Sequence, residues 1–170
     1  NTKNIVFGDS GSASDDRLTF GAGTDLSIYH GGDQNYVSVT GTGNLNLTSG
    51  GAVVTKVNSS EDAIVCNANG SVDLYHDNNK RLSTYNEGIE VFGIEGGNAS
   101  IKLSADEGDD NNDQYRLIAG NGTSIYLQNY ASGSWESNIV ATGNGSVELY
   151  HDNSKKFETT STGITVTGSV

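Results

Sequence analysis

Proline is absent from this chain of 170 residues, and cysteine occurs once, at Cys66. Proline removes a backbone hydrogen-bond donor, so its absence suits a protein whose strands are paired throughout. A single cysteine cannot form an internal disulfide, so stability has to come from elsewhere, and oligomerisation is the obvious source. These absences favour a regular, hydrogen-bonded β body over a disordered tail or a disulfide scaffold.

Large apolar residues are also scarce. Leu, Ile, Val and Phe together make 37 residues, roughly 22% of the chain, which is just above the content at which chains stay disordered. Gly, Ser, Thr and Asn together make 77 residues. Such a composition predicts a thin core, and a thin core suits a narrow, elongated body better than a globule.

Positive charge is the third shortage, with 9 Lys and Arg against 21 Asp and Glu and a net charge of −12. Nucleic acids and anionic membrane surfaces attract clusters of Lys and Arg, so neither is expected as a partner. The chain has no apolar run near 18 residues, so membrane insertion is not expected either.

The sequence contains an internal repeat. Residues 61–93 and 136–168 are identical at 18 of 33 positions at a shift of 75, without gaps. A looser copy covers approximately 18–50, and a unit with an acidic loop covers 98–135. Because no linker or change of composition separates these parts, we expect one continuous repeat body over 1–170.

Each strong copy predicts a meander of short strands. In the first copy Val72, Leu74 and His76 alternate with Asp73 and Tyr75, so the two sets lie on opposite faces of a strand. The Asp-Asn-Asn-Lys segment at 77–80 predicts a turn, and strands follow at 81–85 and 89–92. The acidic residues are expected mostly in turns or on outward strand faces.

Similar patterns extend outside the strong copies. Alternation predicts strands around 101–103, 116–118 and 125–127, and short apolar runs predict strands at 5–7 and 18–20. Cys66 has Ala141 as its counterpart one repeat later, which predicts a small buried site holding an inert thiol.

Short strands with one modest apolar face would leave unpaired edges in a single chain. Winding several chains around a common axis, or stacking repeats into a solenoid, closes such edges. We therefore predict an all-β protein of repetitive short-strand meanders, built as an elongated trimeric β fibre or a β-solenoid-like body. The thin core and the lack of disulfides favour the multi-chain solution.

Two kinds of residue are candidates for binding. Tyr126, Tyr130 and Trp135 form the densest aromatic cluster and are candidates for glycan or receptor contact, with packing between chains as the alternative. The acidic run 106–113 offers Asp106, Asp109, Asp110 and Asp113 as calcium ligands, but its spacing differs from the EF-hand pattern. We favour a solvated loop and expect no metal and no cofactor.

The His-Asp pairs, His76-Asp77 and His151-Asp152, recur in step with the predicted turns. A catalytic pair rarely recurs in every repeat, so we interpret the aspartates as turn formers and predict no catalytic residues. Histidines of three chains meeting at a threefold axis could hold a metal, although a packed or surface histidine is the simpler interpretation.

Three stretches of the chain resemble repeats of tail fibre and other virion structural proteins of marine bacteriophages. They are residues 143–168 (GNGSVELYHDNSKKFETTSTGITVTG), 18–47 and 104–137, and together they cover most of the chain. The chain departs from these repeats at Tyr115, where Trp is usual, and at Gly31 and Gly32, where Asp-Gly is usual.

The resemblance implies a long, trimeric, extracellular protein of the virion. Its partners would be further copies of itself, other virion proteins and a host surface glycan or protein. We expect a non-enzymatic segment of a phage tail fibre, serving as a spacer with a role in host attachment. A capsid-surface fibre or decoration protein, a bacterial surface adhesin and a tailspike-like glycan depolymerase are the alternatives.

Overall fold

The computed structural model describes residues 4–12 and 16–169, and its regular structure is almost entirely β. Fifteen strands occur in these residues, and every pairing between them is antiparallel. Within the same residues, no helix has the length and apolar character needed to span a bilayer. The predicted all-β class of short-strand meanders is confirmed.

The chain divides into two compact units, and the first covers Asn1–Thr48. Its sheet has the order β1-β2-β3, with strands β1 (Leu18–Phe20), β2 (Leu26–Gly31) and β3 (Gln34–Val39). The predicted strand at 5–7 is wrong, since no strand forms there. A strand needs a partner, and residues 5–7 pair with neither outer edge of this sheet, on β1 or on β3.

The second unit, Ser49–Val170, contains two meander sheets. The five-stranded sheet runs in chain order through β4 (Val53–Val57), β5 (Glu61–Cys66), β6 (Val72–His76), β7 (Asn79–Tyr85) and β8 (Gly88–Val91). The seven-stranded sheet runs through β9 (Ala99–Ser104), β10 (Gln114–Ala119), β11 (Ser124–Asn129), β12 (Glu136–Thr142), β13 (Val147–His151), β14 (Ser154–Thr160) and β15 (Gly163–Val166). The acidic run forms two single 3-10 turns, Asp106–Gly108 and Asn111–Asp113. The idea of one continuous body over 1–170 stays a prediction.

The two strong repeat copies have the same backbone. Strands β6, β7 and β8 become β13, β14 and β15 when 75 is added to each of their bounds. The predicted turns are two-residue hairpins with both central residues at positive φ, at Asp77 and Asn78 and again at Asp152 and Asn153. That is the type I′ hairpin, which matches the twist of the flanking strands and favours Asp and Asn. The interpretation of these aspartates as turn formers is confirmed.

The hydrophobic core is as thin as the composition predicts. Among the described residues, Ile118 and Val140 are the only buried apolar residues, at 5% and 9% exposure. Both flank Tyr126 in one cross-strand row of the seven-stranded sheet. The isolated chain therefore keeps most of its large apolar side chains in contact with solvent.

Candidate functional site

The seven-stranded sheet carries a continuous row of apolar side chains on one face. Residues paired directly across neighbouring antiparallel strands share a face, so the strand registers define the row. It contains one residue from every strand: Ile101, Leu117, Leu127, Ile139, Leu149, Phe157 and Val166. A second row on this face follows Ala99, Ala119, Ile125, Ala141 and Val147.

Much of this apolar face is left open to solvent by the described residues. Leu117, Leu149 and Val166 are 44%, 41% and 47% exposed although they lie inside strands. Fully burying a Leu side chain stabilises a protein by about 1.5–3 kcal/mol. Covering the exposed two-fifths of such a side chain therefore adds roughly 1 kcal/mol of stability per residue. Soluble monomers rarely expose a contiguous apolar patch that crosses a whole sheet. This face is therefore the strongest candidate for a functional surface.

The other two sheets repeat the arrangement. In the five-stranded sheet the register brings Ile64, Leu74, Leu82 and Val91 into one row, and in the first unit it aligns Leu18 with Ile28 and Val37. Leu74 and Ile28 are exposed in the same way as Leu149. Within the second unit, Val91 and the apolar face of β9 to β11 line one groove, so the two apolar faces adjoin. We call these three surfaces the apolar faces.

The opposite faces carry most of the polar strand residues, and we call them the polar faces. The polar face of the seven-stranded sheet also holds the buried Ile118 and Val140, in the row that continues to Glu148. The five-stranded sheet has a buried carboxylate at the centre of its polar face. Asp73 is 4% exposed, accepts a hydrogen bond from the hydroxyl of Ser83 and lies 2.8 Å from the ammonium of Lys80. The hydrogen bonds from Lys80 and then Ser83 lower the pKa of Asp73 to about 2. The expectation that acidic residues lie mostly in turns or on outward strand faces is wrong at this position, because a lysine stabilises the buried charge.

A β-bulge makes this contact feasible. Lys80 and Leu82 are two residues apart and would share a face in a regular strand. The register shifts between Leu74 and Tyr75, leaving Arg81 as an extra residue in β7. Lys80 therefore reaches Asp73 on the polar face while Leu82 pairs with Leu74 on the apolar face.

The second copy keeps the bulge and changes the side chains. Glu148 replaces Asp73, Lys155 replaces Lys80, and Glu158 replaces Ser83. Lys155 lies 3.2 Å from Glu148 and also pairs with Glu158. A hydrogen bond from the hydroxyl of Tyr150, followed by one from Lys155, lowers the pKa of Glu148. Sequence reasoning missed both lysines, although their recurrence at a shift of 75 was the available signal.

The predicted aromatic cluster is only partly assembled. The rings of Tyr130 and Trp135 lie 5.0 Å apart, and the guanidinium of Arg116 stacks over Trp135 at 4.0 Å. Tyr126 instead lines a groove with Arg116 and Gln128. Arg116 therefore lies between the Tyr130–Trp135 pair and the groove that Tyr126 lines. The sequence analysis did not identify Arg116 as a candidate. Whether these aromatic residues contact a receptor or glycan stays a prediction.

The acidic loop brings three of its four candidate calcium ligands together. Carboxylate oxygens of Asp109, Asp110 and Asp113 lie within 4.8 Å of one another, while Asp106 is outside the group. Asp109 and Asp110 are exposed, as a solvated loop requires. Exposed carboxylates gather in this way without an ion, so calcium binding stays a prediction.

The remaining candidates lie on or beside the apolar faces. Cys66 is half-buried rather than buried, and it aligns with Val53 and Val72. The expected burial of the thiol is thus wrong for the isolated chain, because nothing in the described residues covers that face. His76 and His151 are exposed at the hairpin ends.

Comparison of the chain with protein-family models, with curated proteins and with solved structures found no match. The fold and its surfaces therefore define the class directly. The protein is all-β, built from antiparallel meander sheets that each carry one apolar face and one face with most of the polar strand residues.

Proposed function

We propose that this chain is a non-enzymatic structural segment of a phage tail fibre and that it assembles as a homotrimer through its apolar faces. The observation that carries the proposal is the apolar row of the seven-stranded sheet, in which Ile139 and Phe157 are half-buried and the other five residues are exposed: Ile101, Leu117, Leu127, Leu149 and Val166. The attribution to a virion rests on the resemblance of the repeats to phage fibre proteins.

The energetics of the apolar faces support assembly. With only two buried apolar residues in the described chain, the hydrophobic contribution to folding is small against the entropy of ordering a chain of this length. Each exposed Leu or Ile on a face adds roughly 1 kcal/mol when covered. Another copy of the chain supplies an apolar face of matching length.

Strand length supports three copies. Most strands in the second unit have five to seven residues, and at about 3.3 Å per residue five to six residues span roughly 17–20 Å. If three sheets of that width form the sides of a triangular prism, their strands run perpendicular to its long axis. The centre of each sheet then lies about 5–6 Å from that axis. That is about half the usual 10 Å spacing of packed sheets, so side chains from three apolar faces would fill the interior.

The acidic residues support a structural role. Asp73 and Glu148 are held by lysines, and the pKa of each is lowered. A general acid in a glycosidase needs a raised pKa and a second carboxylate across a substrate groove. The hydrogen bonding of Asp73 and Glu148 favours polar pairs that stabilise the sheet over catalytic groups.

Multi-angle light scattering combined with small-angle X-ray scattering tests the assembly. We expect a mass of three copies of the 17.8 kDa chain and an elongated shape. A mass of two copies would instead indicate a face-to-face sandwich, and a folded, compact monomer would contradict the proposal.

A pair of neighbouring substitutions isolates the apolar face. Ile101 and Ser100 are adjacent in β9 and lie on opposite faces, and both are exposed in the isolated chain. Ile101→Asp should reduce the mass to that of a monomer or unfold the protein, because it would bury a charge at the interface. Ser100→Asp should leave the trimer intact. Equal behaviour of the two variants would refute the interface.

The position in the virion needs a separate experiment. Antibodies raised against the purified protein and viewed by electron microscopy should label fibres at the tail of the virions that carry it. Labelling over the capsid surface would favour a decoration protein, and labelling of bacterial cells alone would favour an adhesin.

A further inference from the structure

A groove on the polar face of the seven-stranded sheet has the composition of a binding site. Its volume is about 230 Å³, and its lining includes Arg116, Tyr126 and Gln128 from β10 and β11 and Asn98 and Asn121 from the adjoining turns. That volume is below the range of roughly 300–1,000 Å³ for drug-sized ligands, so the groove suits a single small ring. It lies opposite the apolar face, so assembly through that face leaves the groove open.

Arg116 is a half-buried cation without an acidic partner. The ion pairs of the described residues do not include it, although the chain has more than twice as many acidic as basic residues. Its Nε donates a hydrogen bond of 2.8 Å to Gln128, and its guanidinium stacks on Trp135. Burial lowers the pKa of Arg116, but an arginine stays protonated near neutral pH.

The geometry leaves part of the guanidinium available to a ligand. Gln128 and Trp135 fix its plane, and the Nη atoms have no hydrogen bond to described residues. A fixed guanidinium with two adjacent nitrogens recognises a carboxylate or sulfate through paired hydrogen bonds. Lys102 is exposed and directly opposite Arg116 in the strand register, which adds a second positive charge on this face.

The rest of the lining fits a sugar ring. Tyr126 offers an aromatic ring, and its close approach to the backbone depends on Gly120, where an added Cβ would lie 3.0 Å from the ring. The Asn98 side chain accepts a hydrogen bond from the backbone N–H of Asn121, whose own side chain donates to the Gly96 carbonyl. Both amides are thereby oriented, and each keeps a second polar atom for ligand hydroxyls.

We propose that this groove binds an acidic sugar residue, with Arg116 holding its carboxylate or sulfate and Tyr126 stacking on its ring. The proposal deepens the host-contact part of the proposed function by naming the class of glycan. It does not depend on the trimer. Trp135 and Tyr130 act behind Arg116 as positioning residues, since the groove lining does not include them.

Fluorescence provides a direct test because Trp135 is the only tryptophan in the chain and contacts Arg116. The purified protein is titrated with oligogalacturonate, a sulfated galactan oligosaccharide, a neutral galactan oligosaccharide and inorganic sulfate at constant ionic strength. We expect a saturable change with at least one acidic oligosaccharide and none with the neutral sugar or with sulfate alone. The two acidic titrations distinguish a carboxylate from a sulfate ligand.

Matched variants assign the effect to the groove. Arg116→Gln should weaken binding at least about tenfold, since it removes a charge-assisted hydrogen-bonded pair. Lys156→Gln makes the same charge change at an exposed site on β14 and should bind like the unmodified chain. Calorimetry on each variant measures affinity independently of the tryptophan signal, and light scattering checks the assembly.

Several results would overturn the proposal. They are no binding of either acidic oligosaccharide, equal binding of the neutral one, equal binding of inorganic sulfate, or full affinity in a folded Arg116→Gln variant. Failure of the trimer with retained sugar binding would overturn the proposed assembly only.

Discussion

The two strong repeat copies have the same backbone and different polar centres. Residues 72–91 and 147–166 share strand bounds, bulge position and positive-φ turn residues. In the first copy one buried aspartate holds Lys80, with Ser83 as the second donor, whereas in the second copy Lys155 is held by two glutamates. The apolar rows of the two copies, by contrast, differ only by Leu82 against Phe157 and by Cys66 against Ala141.

The difference indicates which features the fold requires. The backbone needs the bulge, because it places a lysine on one face and a large apolar residue on the other. The polar centre tolerates different carboxylates as long as a lysine is paired. The apolar row tolerates little change, which is expected if it packs against other copies.

The largest effect is expected at equivalent apolar positions. Leu74→Asp and Leu149→Asp each introduce a carboxylate into the proposed interface, and each should destabilise the protein by roughly 3 kcal/mol or more per chain. Both side chains are about two-fifths exposed in the isolated chain, where losing the burial of the remaining three-fifths would cost only about 1–2 kcal/mol. Thermal melting followed by circular dichroism measures the effect.

Thr165→Asp serves as the control for these variants. Thr165 is exposed and belongs to the polar row that contains Glu158. Its substitution places a carboxylate directly opposite Glu158, so it should cost about 1 kcal/mol or less, well below the loss expected on the apolar faces. Equally small effects of all three variants would show that the apolar faces stay in solvent.

A smaller effect is expected at the polar centres, and it should differ between the copies. Asp73→Asn leaves Lys80 without its carboxylate beside a buried amide, so the melting temperature should fall by several degrees. Glu148→Gln should lower it less, because Lys155 keeps its pair with Glu158. A larger loss from Glu148→Gln than from Asp73→Asn would contradict this account of the two centres.

Low pH should remove the stabilisation that the ionised Asp73 gives to the first copy. The pKa of Asp73 is about 2 in the folded chain against an ordinary value of 3.8, so the unfolded chain takes up its proton first as the pH falls. The stabilisation is fully present above about pH 5 and is lost progressively towards about pH 2. The difference in melting temperature between the unmodified chain and Asp73→Asn should therefore narrow over that range. A difference that stays constant with pH would contradict the lowered pKa.

The smallest effect is expected from metal removal. If Asp109, Asp110 and Asp113 form a solvated loop, adding a chelator should leave the melting temperature unchanged. A fall in the melting temperature that calcium restores would instead assign a calcium site to these residues.

Local structure was largely predictable from the sequence. The alternation in Val72 to His76 and the Asp-Asn turns depend on backbone preferences that neighbouring residues determine, so strands and hairpins could be located. The prediction of a strand at 5–7 was wrong because strand pairing depends on residues that are distant in the sequence. An apolar run forms a strand only where it pairs with another strand, and residues 5–7 pair with neither outer edge of the first sheet.

The burial of each face was not predictable in the same way. Alternation separates Val72 and Leu74 from Asp73, but it does not say which set the chain covers. The bulge at Arg81 also lacks a local sequence signal, so the Asp73–Lys80 pair could not be derived from spacing. Arg116 was missed because its contacts with Trp135 and Gln128 join three different strand or loop segments.

The dependence of folding on protein concentration tests the central claim most directly, namely that the apolar faces are covered by other copies. For a chain whose folded state requires assembly, the melting temperature rises with concentration, and dilution to nanomolar levels unfolds the protein. We expect that behaviour, measured by circular dichroism and tryptophan fluorescence over several decades of concentration. A well-folded monomer at nanomolar concentration, with a melting temperature independent of dilution, would contradict the account.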